Sequence, residues 1–300
     1  MIEQQREDYG PVQALVLGKR LFRVASPYMR ARAFAVDGLL IDAGLPDAGR
    51  ELLAFAREQQ VERAALTHHH EDHSGGAQAL QDAQVPVAAA TGTRRLLARG
   101  FSVPFYQRRV WGVAKRAEVE PLEPVLETER FRFEVLEAPG HCRDQVVLYE
   151  RSQGWLFSGD AFLAEKVKLF RSDEDFAATL SSLERLVELE FEALFCAHRP
   201  RPSGGREALR VKLQHLRDVE GRVRELDAAG VPVREITRRV LGRESALLQL
   251  LTRGDLSKRN LIRSILEGPR YRRDVSAALA QPLPDEEPRS DEDALAATPR

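Results

Sequence analysis

Ten consecutive residues, Thr67-His68-His69-His70-Glu71-Asp72-His73-Ser74-Gly75-Gly76, restrict the folds open to this chain more than any other feature. Four imidazoles and two carboxylates crowded into one short segment point to metal ions, which such donors bind well. The apolar Ala64-Ala65-Leu66 read as the end of a buried strand, and Gly75-Gly76 open a helix-forming stretch. His68-x-His70-x-Asp72-His73 therefore stands at a strand-to-helix junction, outside the carboxyl end of a strand, where layered α/β proteins place their sites.

Three further polar residues end apolar runs in the same way. His141 follows Arg132 to Leu136 in Ala138-Pro139-Gly140-His141, Asp160 follows Trp155 to Phe157, and His198 follows Ala193 to Cys196. One sheet edge can gather all of them. His69 alternates with the candidate ligands and is expected to point the other way; His215 falls in a helical stretch and is expected in solvent. Cys142 follows His141 directly and is a candidate neighbour of the metals, whereas Cys196 reads as a small buried residue.

The surrounding pattern alternates strands and helices. Val12 to Leu17 and Leu21 to Ala25 read as a hairpin turning at Gly18-Lys19, and Arg32 to Val36 with Leu39 to Ile41 as another turning at Asp37-Gly38. Asp47 to Gln59 has helical spacing, Val61 to Leu66 is a strand, and Ala77 to Ala83 a helix. Strand-like segments fill Val119 to Ala138, a hairpin of Gln145 to Tyr149 with Trp155 to Phe157 follows, and Phe176 to Leu189 is an amphipathic helix. After Pro202-Ser203-Gly204-Gly205 the period turns wholly helical: Leu209, Leu213, Leu216, Val219, Val223 and Leu226 mark one long helix. Val233 to Leu241, Ser245 to Leu251 and Ser257 to Leu266 are shorter helices. The expected division is a catalytic domain over 1–204, a small helical domain with winged-helix-like spacing over 205–280, and a disordered acidic tail over 281–300.

Composition narrows the setting. No apolar run reaches the ~18 residues of a membrane span, the start MIEQQREDYG lacks the marks of a secretory signal, and Cys142 and Cys196 are the only cysteines. A soluble protein of a reducing compartment, the cytoplasm by default, is expected. Between Arg199 and Arg273 there are 19 Lys or Arg against 9 Asp or Glu, which reads either as solvated helix faces or as a surface for an anion or nucleic acid.

With these residues in order, the sequence resembles the metallo-β-lactamase superfamily of hydrolases. The five motifs match as Asp42 in Leu40-Ile41-Asp42-Ala43-Gly44, then His68 to His73, His141, Asp160 and His198, over about residues 12 to 200. The resemblance implies an αββα sandwich of the α/β class. It implies one metal held by His68, His70 and His141, a second by Asp72, His73 and His198, and Asp160 bridging both. Zinc suits these donors, with iron or manganese compatible. Asp42 corresponds to a position that orients ligands, and also reads as a turn residue before Gly44. Asp72 and Asp160 are the expected catalytic carboxylates, since a metal pair acidifies a shared water toward pKa ~7 and delivers hydroxide to an electrophilic carbon or phosphorus.

Within the superfamily the pattern is similar to the glyoxalase II-like branch. A small ester, thioester or lactone is the expected substrate, with phosphodiester or single-stranded RNA cleavage as the second reading. Residues 99–118 combine Phe101, Phe105, Tyr106 and Trp111 with Arg108, Arg109, Lys115 and Arg116. Such a segment suits a lid over a substrate with an apolar body and an anionic end, or a stacking surface for RNA. A homodimer is left open.

Overall fold

The computed structural model describes residues 1–20 and 29–286. Two sheets stack face to face. The first has seven strands in sequence order: β1 (Ile2–Tyr9), β2 (Val12–Lys19), β3 (Ala31–Val36), β4 (Leu39–Ile41), β5 (Arg63–Leu66), β6 (Val87–Ala89) and β7 (Glu120–Pro121). Pairing is antiparallel through β4 and parallel from β4 to β7. The second has five strands, ordered β13-β11-β10-β9-β8, built from β8 (Val125–Glu127), β9 (Arg132–Glu137), β10 (Val146–Glu150), β11 (Trp155–Gly159) and β13 (Ala193–Cys196).

Period-two alternation sends each strand's side chains to two different cores. Phe34 and Val36 of β3 face the second sheet, where they meet Phe133, Leu148, Phe157 and Phe195, while Ala31, Ala33 and Ala35 face the outer helices. Those helices are α1 (Gly49–Glu58) and α3 (Ala77–Asp82), which contribute Leu52, Phe55, Ala77 and Leu80. The short α2 (Glu71–Ser74), α4 (Thr91–Arg99) and α5 (Phe105–Val110) complete this side. Outside the second sheet lie α6 (Phe176–Leu186) and α7 (Gly205–Ala228). The expected αββα arrangement is present.

The hairpin expected at Asp37-Gly38 forms, and both residues take the positive φ that a tight hairpin needs, 48° and 78°. The hairpin expected at Gly18-Lys19 does not: β2 runs on through both residues and pairs with β1, turning at Gly10-Pro11. The proposed partner, Leu21 to Ala25, lies outside the described residues. β1 escapes sequence reading because it is an edge strand with one half-open polar face, held by ion pairs such as Arg32–Glu7 at 2.7 Å.

The helices after residue 204 are α7, α8 (Val233–Leu241), α9 (Ala246–Thr252), α10 (Lys258–Glu267) and α11 (Arg273–Ala280). They share one apolar core with the second sheet and α6: Leu209, Leu216, Ile236, Leu261 and Ile262 join Val147, Tyr149, Leu183 and Leu194. β12 (Phe170–Arg171) pairs with β14 (Leu256–Ser257), tying the loop after Asp160 to this helical region. At the end of the described chain, Asp285 and Glu286 meet Arg94 and Arg95 of α4 in ion pairs of 2.6–3.2 Å. Residues 287–300 of the expected tail lie outside the described residues. Among the described residues no helix is long and apolar enough to cross a membrane.

Candidate metal centre

All seven expected ligands meet at one edge of the sandwich, carried there by strand ends. His68 follows β5, Asp160 follows β11 and His198 follows β13; His141 sits in the turn between β9 and β10. The turn out of α2 leaves no room at Gly75, where a Cβ would strike the backbone of Glu71 and Pro46. Gly140 has φ 144°, and its position would press a Cβ into Thr179.

Asp160 lies between two groups of donors. Its Oδ2 is 3.3 Å from His141 Nε2, which is 3.1 Å from His70 Nδ1. His68 lies between the groups, its ring centroid 4.6 Å from that of His70 and 4.0 Å from that of His73. The other oxygen, Oδ1, is 3.3 Å from His73 Nε2 and 3.4 Å from His198 Nε2, and Asp72 Oδ2 is 3.2 Å from His198 Nε2. One carboxylate thus faces each donor group through a different oxygen. The Cys142 thiol lies within 4.8 Å of donor atoms of His68 and His70, but burial, then Asp144, pushes it well above the usual thiol range.

Neighbours select which ring nitrogen is free. His73 Nδ1 donates to Asp42 Oδ2 at 2.7 Å, and His198 Nδ1 to the Arg30 carbonyl at 2.7 Å. Thr67 Oγ1 donates to Asp42 and lies 3.0 Å from His68 Nδ1, so it can accept that proton. In each case Nε2 is left to the cluster, the arrangement that metal-binding histidines need. His68 Nε2, His73 Nε2 and Asp160 Oδ1 are buried with no hydrogen-bond partner among the described residues. Such groups cost about 1–3 kcal/mol each unless something answers them, and a cation beside these donors does so. The residues could hold a metal ion.

His70 is different. Arg171 Nη2 lies 2.7 Å from His70 Nε2, and a guanidinium only donates, so this nitrogen accepts and Nδ1 carries the neutral ring's proton toward His141. Arg171 must yield Nε2 before Nδ1 can bind an ion.

Charge divides the cluster. Burial, then the neighbouring cations His73 for His68 and Arg171 for His70, holds both rings well below the usual histidine range. Burial also opposes charging of His73 and His198, but for His73 the carboxylates Asp42, Asp160 and Asp72 outweigh it, and for His198 Asp160 and Asp72 do, so both rise well above that range. Burial would raise Asp160, yet His198, His73 and His141 hold it well below the carboxylate range.

His69 turns away, as its alternation predicts, and donates Nδ1 to Asp144 Oδ1 at 2.8 Å. Thr93 also donates to Asp144, which the sequence reading missed because no motif marks it. His215 is half-buried rather than free in solvent, and donates to the Val167 carbonyl at 2.8 Å. Cys196 is buried in the β13 core as expected. The aromatic segment lies along the site, with Phe101 edge-on to His69 at 4.7 Å and Trp111 tilted over His198 at 5.8 Å.

A model of the family described as "Metallo-beta-lactamase superfamily" matches residues 37–198. The chain is 29% identical over 171 residues to a Beta-lactamase-like protein 2 homolog of Drosophila melanogaster, covering 53% of this chain and 54% of that protein. It is 30% identical over 237 residues to a hydroxyacylglutathione hydrolase of Rhodobacter capsulatus, covering 75% and 82%. The chain spans about half the length of the first curated relatives it matches, 54% and 56%. Among solved structures, a metallo-beta-lactamase from Pontibacter korlensis superposes with TM-score 0.57 at 21% identity, over 73% of this chain and all of that one. A metallo-beta-lactamase family protein from Thermus thermophilus does so with TM-score 0.56 at 22% identity, over 84% and 90%.

Proposed function

The chain belongs to the metallo-beta-lactamase superfamily, and we propose that it is a dinuclear-metal hydrolase of small anionic thioesters. The observation that carries this reading is Asp160, whose two oxygens face His141 on one side and His73 with His198 on the other. His68, His70 and His141 would hold one ion and Asp72, His73 and His198 the other, with Asp160 placed to serve both. Zinc is the ion these imidazole and carboxylate donors suit best. The relatives named hydroxyacylglutathione hydrolase favour a thioester over a lactone or a simple ester.

When bound, the two ions polarise the substrate carbonyl and acidify water toward pKa ~7. The remaining work falls to the chain. Asp160, kept anionic by its histidines, and Asp72 orient the attacking water, and Asp72 accepts its proton for delivery to the departing sulfur. Asp42 and Thr67 keep His73 and His68 in the required tautomers. Trp111 and Phe101 shield the rim from solvent.

The test is metal-dependent hydrolysis of acyl-thioesters, an S-acyl-glutathione and an acyl-coenzyme A, beside a short single-stranded RNA, with Asp72→Ala as blank and metal content measured in parallel. Thioester turnover with two ions per chain is expected. RNA cleavage without thioester turnover would replace this reading by the second one, which the exposed Phe105, at 64%, and its neighbouring arginines favour.

A further inference from the structure

A second cavity, of about 550 Å³, opens between α5 and the segment from α9 to α10. Its volume is that of a small-molecule site, but its walls are cationic. Arg253, Arg259, Arg263 and Arg270 line it, and Asp255 is its only acid. Arg253, Arg259 and Arg263 enter no ion pair among the described residues, whereas Arg270 meets Glu267. The Nε atoms of Arg259 and Arg263, one turn apart on α10, are buried without partners among the described residues. Asp255 is already engaged, accepting from Tyr106 Oη at 2.8 Å and Ser172 Oγ at 2.6 Å. The amino end of α10, Ser257 to Asn260, also borders the cavity and adds its dipole.

Two further features describe the ligand such a cavity would take. Phe105 and Tyr106 form one wall, and an exposed aromatic ring beside clustered arginines is a stacking surface for a base. Ser172, on the cavity wall, directly follows Arg171, whose guanidinium touches His70.

We propose that the cavity seats the phosphorylated nucleoside end of the thiol carrier in the substrate. This rests on the thioester reading above. Three guanidiniums unpaired among the described residues exceed what a mono- or dicarboxylate requires, and their forked donors suit phosphate oxygens.

Titration calorimetry of the full chain with adenosine 3′,5′-bisphosphate tests the site directly, without metals or turnover. Micromolar binding is expected, weakened at least about a hundredfold in Arg259→Gln/Arg263→Gln, with Arg224→Gln on α7 as the neutral control; two charge-assisted contacts set that scale. No binding, or equal binding by the double variant, overturns the proposal. Kinetics then separate the two readings. The kcat/KM ratio of an acyl-coenzyme A to the N-acetylcysteamine thioester of the same acyl group should be high and should collapse in the double variant. An unchanged ratio overturns the proposal, whereas bisphosphate binding with no turnover of either thioester keeps the subsite and removes the thioester reading. An RNA oligonucleotide that displaces the bisphosphate and is cleaved overturns the carrier assignment.

Discussion

Asp42 Oδ2 lies 2.7 Å from His73 Nδ1, deep beneath the cluster, and the same carboxylate accepts from the backbone and hydroxyl of Thr67. Asp42 holds φ at 64°, a left-handed conformation uncommon outside glycine, so that the carboxylate reaches both partners. One side chain thereby sets the free nitrogen of His73 and anchors the start of the histidine segment.

Replacing Asp42 by Asn should weaken ion binding at the Asp72–His73–His198 group about 10- to 100-fold, the usual cost of losing a ligand's supporting carboxylate. Chelator competition followed by metal analysis measures it. An unchanged affinity would show that Asp42 serves the turn alone.

Acidification should empty the two groups in order. His73 and His198 have raised proton affinity, so protons compete for their Nε2 atoms at higher pH than for an ordinary histidine. His68 and His70 are depressed and remain available. With two protons displaced per ion, affinity at the second group should fall about a hundredfold per pH unit below the pKa values of His73 and His198. Metal content against pH should therefore drop from two ions to one before reaching none; simultaneous loss would contradict this division.

Arg171→Leu should tighten ion binding at the His68–His70–His141 group by about tenfold. The guanidinium occupies His70 Nε2 and adds a positive charge beside the ions, and removing both effects frees Nδ1 to bind. A competition titration with a chromophoric chelator reads the change, and weaker binding would mean that Arg171 positions the ring instead.

Asp72→Ala and Asp160→Ala should each lower kcat by at least about a thousandfold while leaving the circular dichroism spectrum near that of the parent. Loss of the folded spectrum would shift the role of the residue from chemistry to structure. Full activity in either variant would sink the assigned roles.

Gly75→Ala should destabilise the chain by about 1–3 kcal/mol, the usual range for overpacking, because the new methyl meets backbone atoms of Glu71 and Pro46, which cannot swing aside. Urea denaturation at fixed metal content tests this.

Much of the site was legible in the sequence because its ligands end strands. A continuous buried apolar run that stops at a polar residue marks a strand end, and Ala193–Cys196 before His198 shows the signal at its clearest. β13 and α8 have the bounds that their spacing predicts. β1 was not legible, since its polar alternation resembles a solvated segment until β2 supplies the partner.

The sequence by itself determined the kinds of ligand, their order and the layered alternation, because these depend on residue type and local period. Tertiary structure alone decided which nitrogen of each histidine is free, that Asp160 faces both donor groups, and that Arg171 reaches His70 across 101 positions. It also decided that the C-terminal helices close the core of the second sheet rather than a core of their own. Those features depend on distances between residues far apart in the chain, and no local pattern encodes such distances until the sheets have packed.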